Sequence, residues 1–266
     1  MRPFAPGRRL APGVRALRHL NRSRFFDLYE GWCERRACPV VVKAMRPDRR
    51  DDRAARAALL REGRLLRRLA HPNIVRGYDV HAGPRPLVVL EAVGGETLAH
   101  LVERRRRRLG ARELGHLGLH LAAAVSYLHG EGILHLDLKP SNIVAEAGRA
   151  KVLDLSIARV PGRVSPGRGT WCNMAPEQAR GGPIGPAADV WGLGTVLYEA
   201  AAGVNPFEEW EDVVHPTLVH RAAPLRSHRR LPGGAAGLVD ACLEPEPHDR
   251  PTLADLRAGL AGLTAV

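Results

Sequence analysis

Aromatic residues are scarce in this chain, 5% of 266 residues, and acidic residues are outnumbered, 28 Asp and Glu against 40 Lys and Arg. The shortage of acids leaves a formal charge of +12, which favours acidic partners. The shortage of rings removes what would stack on bases, so nucleic-acid binding is not expected. No run of about eighteen apolar residues occurs, which excludes a membrane-spanning helix. The opening "MRPFAPGRRLAPG" carries charge and proline without the apolar centre of a secretory signal, so a cytoplasmic location is expected. Cys33, Cys38, Cys172 and Cys242 are the four cysteines and form no C-x-x-C pair. Neither a structural zinc site nor a disulfide framework is expected, and the thiols should be free. No repeat is found either, which excludes a solenoid.

What is present is a 45% hydrophobic content, enough for a core. Residues 1–17, with prolines and several arginines, are expected to form a loose basic arm. The run "PVVVKAM" (39–45) is β-branched and bounded by turn formers, hence a strand. "DDRAARAALLREGRLLRRLA" (51–70) places Leu59, Leu66 and Leu69, with Leu65 beside them, on one helical face, behind two aspartates suited to a helix N-terminus. "HPNIV" (71–75) and "RPLVVLEAV" (85–93) are expected to be strands, and Gly94–Gly95 breaks the chain. Beyond it, "LGHLGLHLAAAVSYLHG" (114–130), "AADVWGLGTVLYEAAAG" (187–203) and "TLADLRAGLAGL" (252–263) have helical periodicity. The charge block "ERRRRRL" (103–109) reads as a solvated loop or helix end, or as a docking surface for an acidic partner through Arg104–Arg108.

The stretch "ILHLDLKPSNIV" (133–144) sets Asp137, Lys139 and Asn142 close together. They offer a carboxylate to orient a hydroxyl, a cation for a transferring phosphate and an amide oxygen for a metal. Asp154, ending the β-like run "KVLDLS", is a second hard oxygen ligand of the kind Mg2+ takes. Lys43 stands inside an apolar strand, where an unpaired ammonium is costly. Glu62, among the leucines of the following helix, is its expected partner.

These residues resemble the motifs of the eukaryotic-type (Hanks-type) Ser/Thr protein kinase domain, from about Leu20 to Leu263. "PVVVK" is similar to the strand-lysine motif, Glu62 to the helix glutamate, and "HLDLKPSN" to the catalytic loop. "DLS" (154–156) stands at the Asp-Phe-Gly position, and "GTWCNMAPEQ" (169–178) resembles the end of the activation segment. The resemblance implies an α+β, two-lobed kinase-like fold. A small antiparallel sheet lobe with one helix (18–92) would precede a larger, mainly helical lobe (93–264). It implies transfer of the ATP γ-phosphate, with Mg2+, to Ser or Thr of a protein substrate. Asp137 would orient the substrate hydroxyl, Lys139 would stabilise the transferring phosphate, and Thr170 would position both. Asn142 and Asp154 would hold Mg2+, and Lys43, held by Glu62, would contact the α- and β-phosphates. Leu20, Leu28 and Val41 would cover the adenine and Val144 would lie beneath it, with Leu90 as gatekeeper and the backbone from Glu91 to Val93 hydrogen-bonding it. His135, Glu177, Asp189 and Arg250 would be structural, Asp189 anchoring the catalytic loop and Arg250 pairing with Glu177.

Three departures qualify the resemblance. The nucleotide-covering Gly-x-Gly-x-x-Gly is missing, and Asn21, Ser23 and Phe26 stand at the glycine positions. Phosphate gripping should be weaker or reshaped. Leu136 replaces the arginine that answers an activation-segment phosphate, so gating by such a phosphate is not expected. Ser156 replaces the glycine that lets the segment flip. An active kinase and a pseudokinase serving as a nucleotide-binding or scaffolding module are the two functional classes left open.

Overall fold

The structure, a computed structural model, describes residues 3–210 and 213–264. The chain divides into two compact units. One runs up to Gly94 and includes Asp154–Ser156; the other comprises Gly95–Leu153 and the chain from Ile157 onward.

The first unit is an antiparallel sheet with one helix. Strands β1 (Arg9–Ala11), β2 (Val14–Arg22), β3 (Phe26–Cys33) and β4 (Cys38–Met45) precede helix α1 (Arg53–Arg68), and β5 (Gly77–His81) and β6 (Leu87–Glu91) follow it. The sheet order is β1-β2-β3-β4-β6-β5. Asp52 caps α1 by accepting from the Ala55 N–H at 2.8 Å. The helix buries Leu59, Leu60, Glu62, Gly63 and Leu66. At Gly63 a Cβ would lie 2.5 Å from Val88 Cγ2, so glycine is what lets α1 pack closely on β6.

Two expectations fail in this unit. The arm is not loose: β1 and the first half of β2 fall within residues 9–17. Ala11, Val14 and Ala16 join Tyr29, Val40, Val42 and Leu87 in one core, and the Gly7 N–H donates to the Ala16 carbonyl at 2.8 Å. Small apolar residues alternating with arginines make a half-buried strand that reads as a polar tail. Residues 71–75 form a turn rather than a strand, with Ile74 and Val75 buried, and the strand begins at Gly77.

The second unit is mainly helical. It contains β7 (Glu96–Thr97), a π-helical turn (His100–Arg104), α2 (Ala111–Gly130) and the hairpin β8 (Ile143–Glu146) and β9 (Arg149–Val152). After these come β10 (Gly162–Val164), α3 (Pro176–Arg180), β11 (Gly182–Ile184), α4 (Ala187–Ala202), α5 (Pro216–Val219), α6 (Ala235–Cys242) and α7 (Leu253–Ala261). Helix α4 is mostly apolar and buried on all sides from Ala188 to Ala202, Asp189 and Glu199 included, with α2 and α6 packed against it. No helix of the described residues is long and apolar enough to cross a membrane.

Candidate active site

In the first unit, β4 carries Lys43 into a buried position facing α1. Its Nζ donates to both Glu62 oxygens, at 3.0 and 2.8 Å, and to Asp154 Oδ2 at 3.0 Å. Burial alone would lower the Lys43 pKa, but Glu62 and Asp154 outweigh it and hold the ammonium charged. Burial pushes Glu62 upward against the pull of Lys43. Asp154 also starts from a burial penalty, yet Lys43 and the Ser156 N–H, 2.7 Å from Oδ1, keep its carboxyl below the usual range. The Phe26 ring lies 5.2 Å from Lys43 Nζ.

The expected adenine-contacting residues of this unit differ in exposure. Leu20 is 40% exposed and Leu90 is buried. Leu28, Val41, Glu91 and Val93 are half-buried.

The turn joining β2 and β3 replaces a glycine loop with a self-satisfied hairpin. The Arg22 N–H donates to Asn21 Oδ1 at 2.7 Å, the Ser23 N–H to the Phe26 carbonyl at 2.8 Å, and the Phe26 N–H to Ser23 Oγ at 3.1 Å. Below it, buried Asp27 accepts from Arg22 Nε at 2.7 Å and Nη2 at 3.0 Å, with His19 Nε2 at 3.1 Å. Arg46 reaches the Ser23 carbonyl at 3.0 Å. Burial would raise the Asp27 carboxyl, but Arg22 and His19 bring it below its usual value.

In the second unit, the segment between α2 and β8 carries a polar triangle. Lys139 Nζ donates to Thr170 Oγ1 at 2.7 Å, and Thr170 Oγ1 donates in turn to Asp137 Oδ1 at 2.7 Å. The Thr170 N–H also reaches Asp137 Oδ1, at 3.1 Å, and Lys139 lies 3.2 Å from Asp137 Oδ2. Asn142 Nδ2 donates to the Asp137 carbonyl at 3.0 Å and to Oδ2 at 3.3 Å. The segment hangs from α4: Asp189 accepts from the backbone N–H groups of His135 and Leu136, at 2.9 and 2.7 Å, and pairs with His129 at 2.8 Å. Leu136 has a left-handed φ of 68°, a strain of roughly 1 kcal/mol for a residue with a Cβ. Glu177 and Arg250 form a bidentate pair at 2.7 and 2.8 Å, with the guanidinium also donating to the carbonyls of Ala187, Glu244 and Pro245. Val144 is buried in β8.

Several residues at the site had not been singled out. Gln178 is 2% exposed. Its Nε2 donates to the Leu136 carbonyl at 2.9 Å and to the Arg168 carbonyl at 3.0 Å, and its Oε1 accepts from the Ala175 N–H at 3.2 Å. One amide thus ties the loop at Leu136, the stretch at Arg168 and the start of α3. Asn173, bonded to Thr195 Oγ1 at 3.1 Å, and the hub residue Asp27 are likewise new. The only sequence signal for Gln178 is its place after Ala-Pro-Glu, because a five-residue helix has too little periodicity to mark its buried side.

The donor chemistry fits Mg2+ in each unit. Asn142 uses its NH2 group on Asp137 and keeps its amide oxygen for a cation. Asp154 is held ionised, and each of its oxygens retains a lone pair. Carboxylate and amide oxygens are the hard ligands that Mg2+ takes alongside water and phosphate.

The protein kinase domain family model matches residues 23–259. Among similar proteins, the probable serine/threonine-protein kinase PkwA of Thermomonospora curvata is 35% identical over 230 residues, 84% of this chain and 30% of its own length. The serine/threonine-protein kinase PkaA of Streptomyces coelicolor is 33% identical over 233 residues, 83% of this chain and 42% of its own length. PknB of Mycobacterium tuberculosis is 34% identical over 238 residues, 83% and 38%. The chain therefore spans less than half the length of each of these relatives. With a family match across most of its residues, the chain belongs to the protein kinase domain family.

Proposed function

We propose that this chain is a serine/threonine protein kinase that uses Mg-ATP and is not gated by phosphorylation of its activation segment. The Asp137–Thr170–Lys139 triangle carries the reading, because it presents an oriented carboxylate and an adjacent cation with a threonine holding both. Asp137 orients the substrate hydroxyl and takes its proton as the oxygen bonds to the γ-phosphorus. The bond from that phosphorus to the β,γ-bridging oxygen breaks, and ADP leaves. Lys139 stabilises charge on the transferring group, and Lys43 binds the non-transferred phosphates. Asp154 and Asn142 would hold Mg2+, which would supply neutralisation of phosphate charge when bound. The adenine is assigned to Leu20, Leu28, Val41, Leu90, the 91–93 backbone and Val144. The substrate is a protein with an accessible Ser or Thr, and the Arg104–Arg108 block is assigned to an acidic partner. Four free thiols support a reducing, cytoplasmic setting.

The test is transfer of labelled γ-phosphate to the protein itself and to a generic protein substrate, beside Asp137→Asn. The variant should transfer about 10²–10⁴-fold more slowly with nucleotide affinity nearly unchanged. Equal labelling of both proteins would refute the reading.

One observation favours a second reading, a pseudokinase. The N–H groups of Arg22, Ser23 and Phe26, at the turn that would cover phosphates, are already bonded within the hairpin. Mg-ATP binding without transfer to any substrate would select it.

A further inference from the structure

The second unit holds a cavity of about 430 Å3 that no part of the proposed reaction uses. Leu98, Leu109, Leu117 and Ile143 form its buried apolar base. Its walls are preformed. At Gly95, φ is +86° and a Cβ would collide with the Ala145 carbonyl oxygen, so glycine brings the chain flush against β8. The β8–β9 turn is tight, with Ala147 at φ +47° and Gly148 at φ +77°. His116 and His120, one turn apart on α2 and stacked with centroids 6.2 Å apart, also line it.

The two acids that line it form ion pairs, Glu96 through Oε1 with Arg105 and Glu113 with Arg107. Arg104, Arg106 and Arg108, in the segment that contributes Leu101, Arg107 and Leu109 to the lining, and Arg112 at the start of α2 are exposed and form no ion pair among the described residues. Arg149, on the opposite wall, is exposed as well. An apolar cavity with Arg149 in its wall and an arginine-rich segment running past it complements one chemistry: apolar side chains on an acidic backbone segment. The volume suits one or two large side chains and not a packed helix.

We infer that this cavity and its arginine border form a docking site for an acidic, apolar-anchored segment of a partner protein. The inference extends the acidic-partner assignment of the Arg104–Arg108 block and does not depend on phosphate transfer, since binding is measured without nucleotide.

Fluorescence anisotropy on the full chain, at about 0.15 M salt where long-range attraction is screened, tests it with four labelled probes. The first is a twelve-residue peptide of alternating Glu and Leu/Phe; the second has serine in place of its apolar residues; the third has lysine in place of glutamate. The fourth is a single-stranded DNA twelve-mer. The first peptide should bind at least tenfold more tightly than the other three. Arg104→Glu/Arg106→Glu/Arg108→Glu should weaken it at least tenfold, and so should His116→Trp, which crowds the cavity from an exposed helix position where folding tolerates the change. Equal binding of the serine peptide, tighter binding of DNA, no binding of the first peptide, or indifference to His116→Trp in a protein with an unaltered melting curve would each overturn the inference.

Discussion

Gln178 devotes its whole side chain to backbone groups of three segments, so its removal strands carbonyls that have no other assigned donor. Each such buried bond is worth about 1 kcal/mol net, more when the partner is left unsatisfied. Gln178→Ala should destabilise the protein by roughly 1–3 kcal/mol and lower kcat about tenfold or more while the KM for ATP stays nearly constant. Gln178→Glu should be worse than alanine, because a carboxylate would face the Leu136 and Arg168 carbonyls. Steady-state kinetics beside denaturant unfolding check both, and a glutamate variant as active as wild type would refute the strut. Asp27 makes a second residue-scale case. Its folded pKa is lowered, so it adds stability above the unfolded value of about 3.9 that is lost as pH falls through the folded pKa. The stability gap between wild type and Asp27→Asn should therefore be wide at pH 7 and narrow toward pH 3. Lys43 and Glu62 were legible because an unpaired charge in an apolar setting demands a partner. Asp27 and Gln178 were not, because their partners are a nearby arginine and backbone carbonyls, which leave no periodic trace.

At the scale of elements, α4 buries a carboxylate without an ion pair. Glu199 accepts only from Asn205 Nδ2, at 2.9 Å, among its described partners, and burial, with Glu208 nearby, lifts it to about 7. A raised acid binds more protons folded than unfolded, so its contribution falls as pH rises from the unfolded value through about 7. Glu199→Gln should gain roughly 1–3 kcal/mol at pH 8 and gain little at pH 4.5, as read by chemical denaturation at both. Long elements such as α1 and α2 were legible from their periodicity, which sets a buried face over several turns. The strands at 9–17 were missed because arginines hide their alternation. The slip at 71–75 arose because buried Ile74 and Val75 sit in a turn, and an apolar pair alone does not distinguish the two.

For the molecule as a whole, the division into an antiparallel sheet unit with one helix and a mainly helical unit was legible, since the period changes near the Gly94–Gly95 pair. The return of Asp154–Ser156 to the first unit and the cavity of the second were not, because both depend on contacts distant in sequence. Mg-ATP binding should register across the whole chain. At about a hundred times Kd it should add about 2.7 kcal/mol to the folded state, seen as a Tm rise of several degrees that shrinks when Mg2+ is chelated. A chain whose Tm ignores Mg-ATP would remove both nucleotide-based readings together. The amide strut has one more implication. Under the proposed reading, a segment fastened by Gln178, with Leu136 where a phosphate-reading arginine would stand, would offer a phosphatase nothing to erase. Output would then follow the number of copies in the cell, with synthesis and proteolysis as the dial.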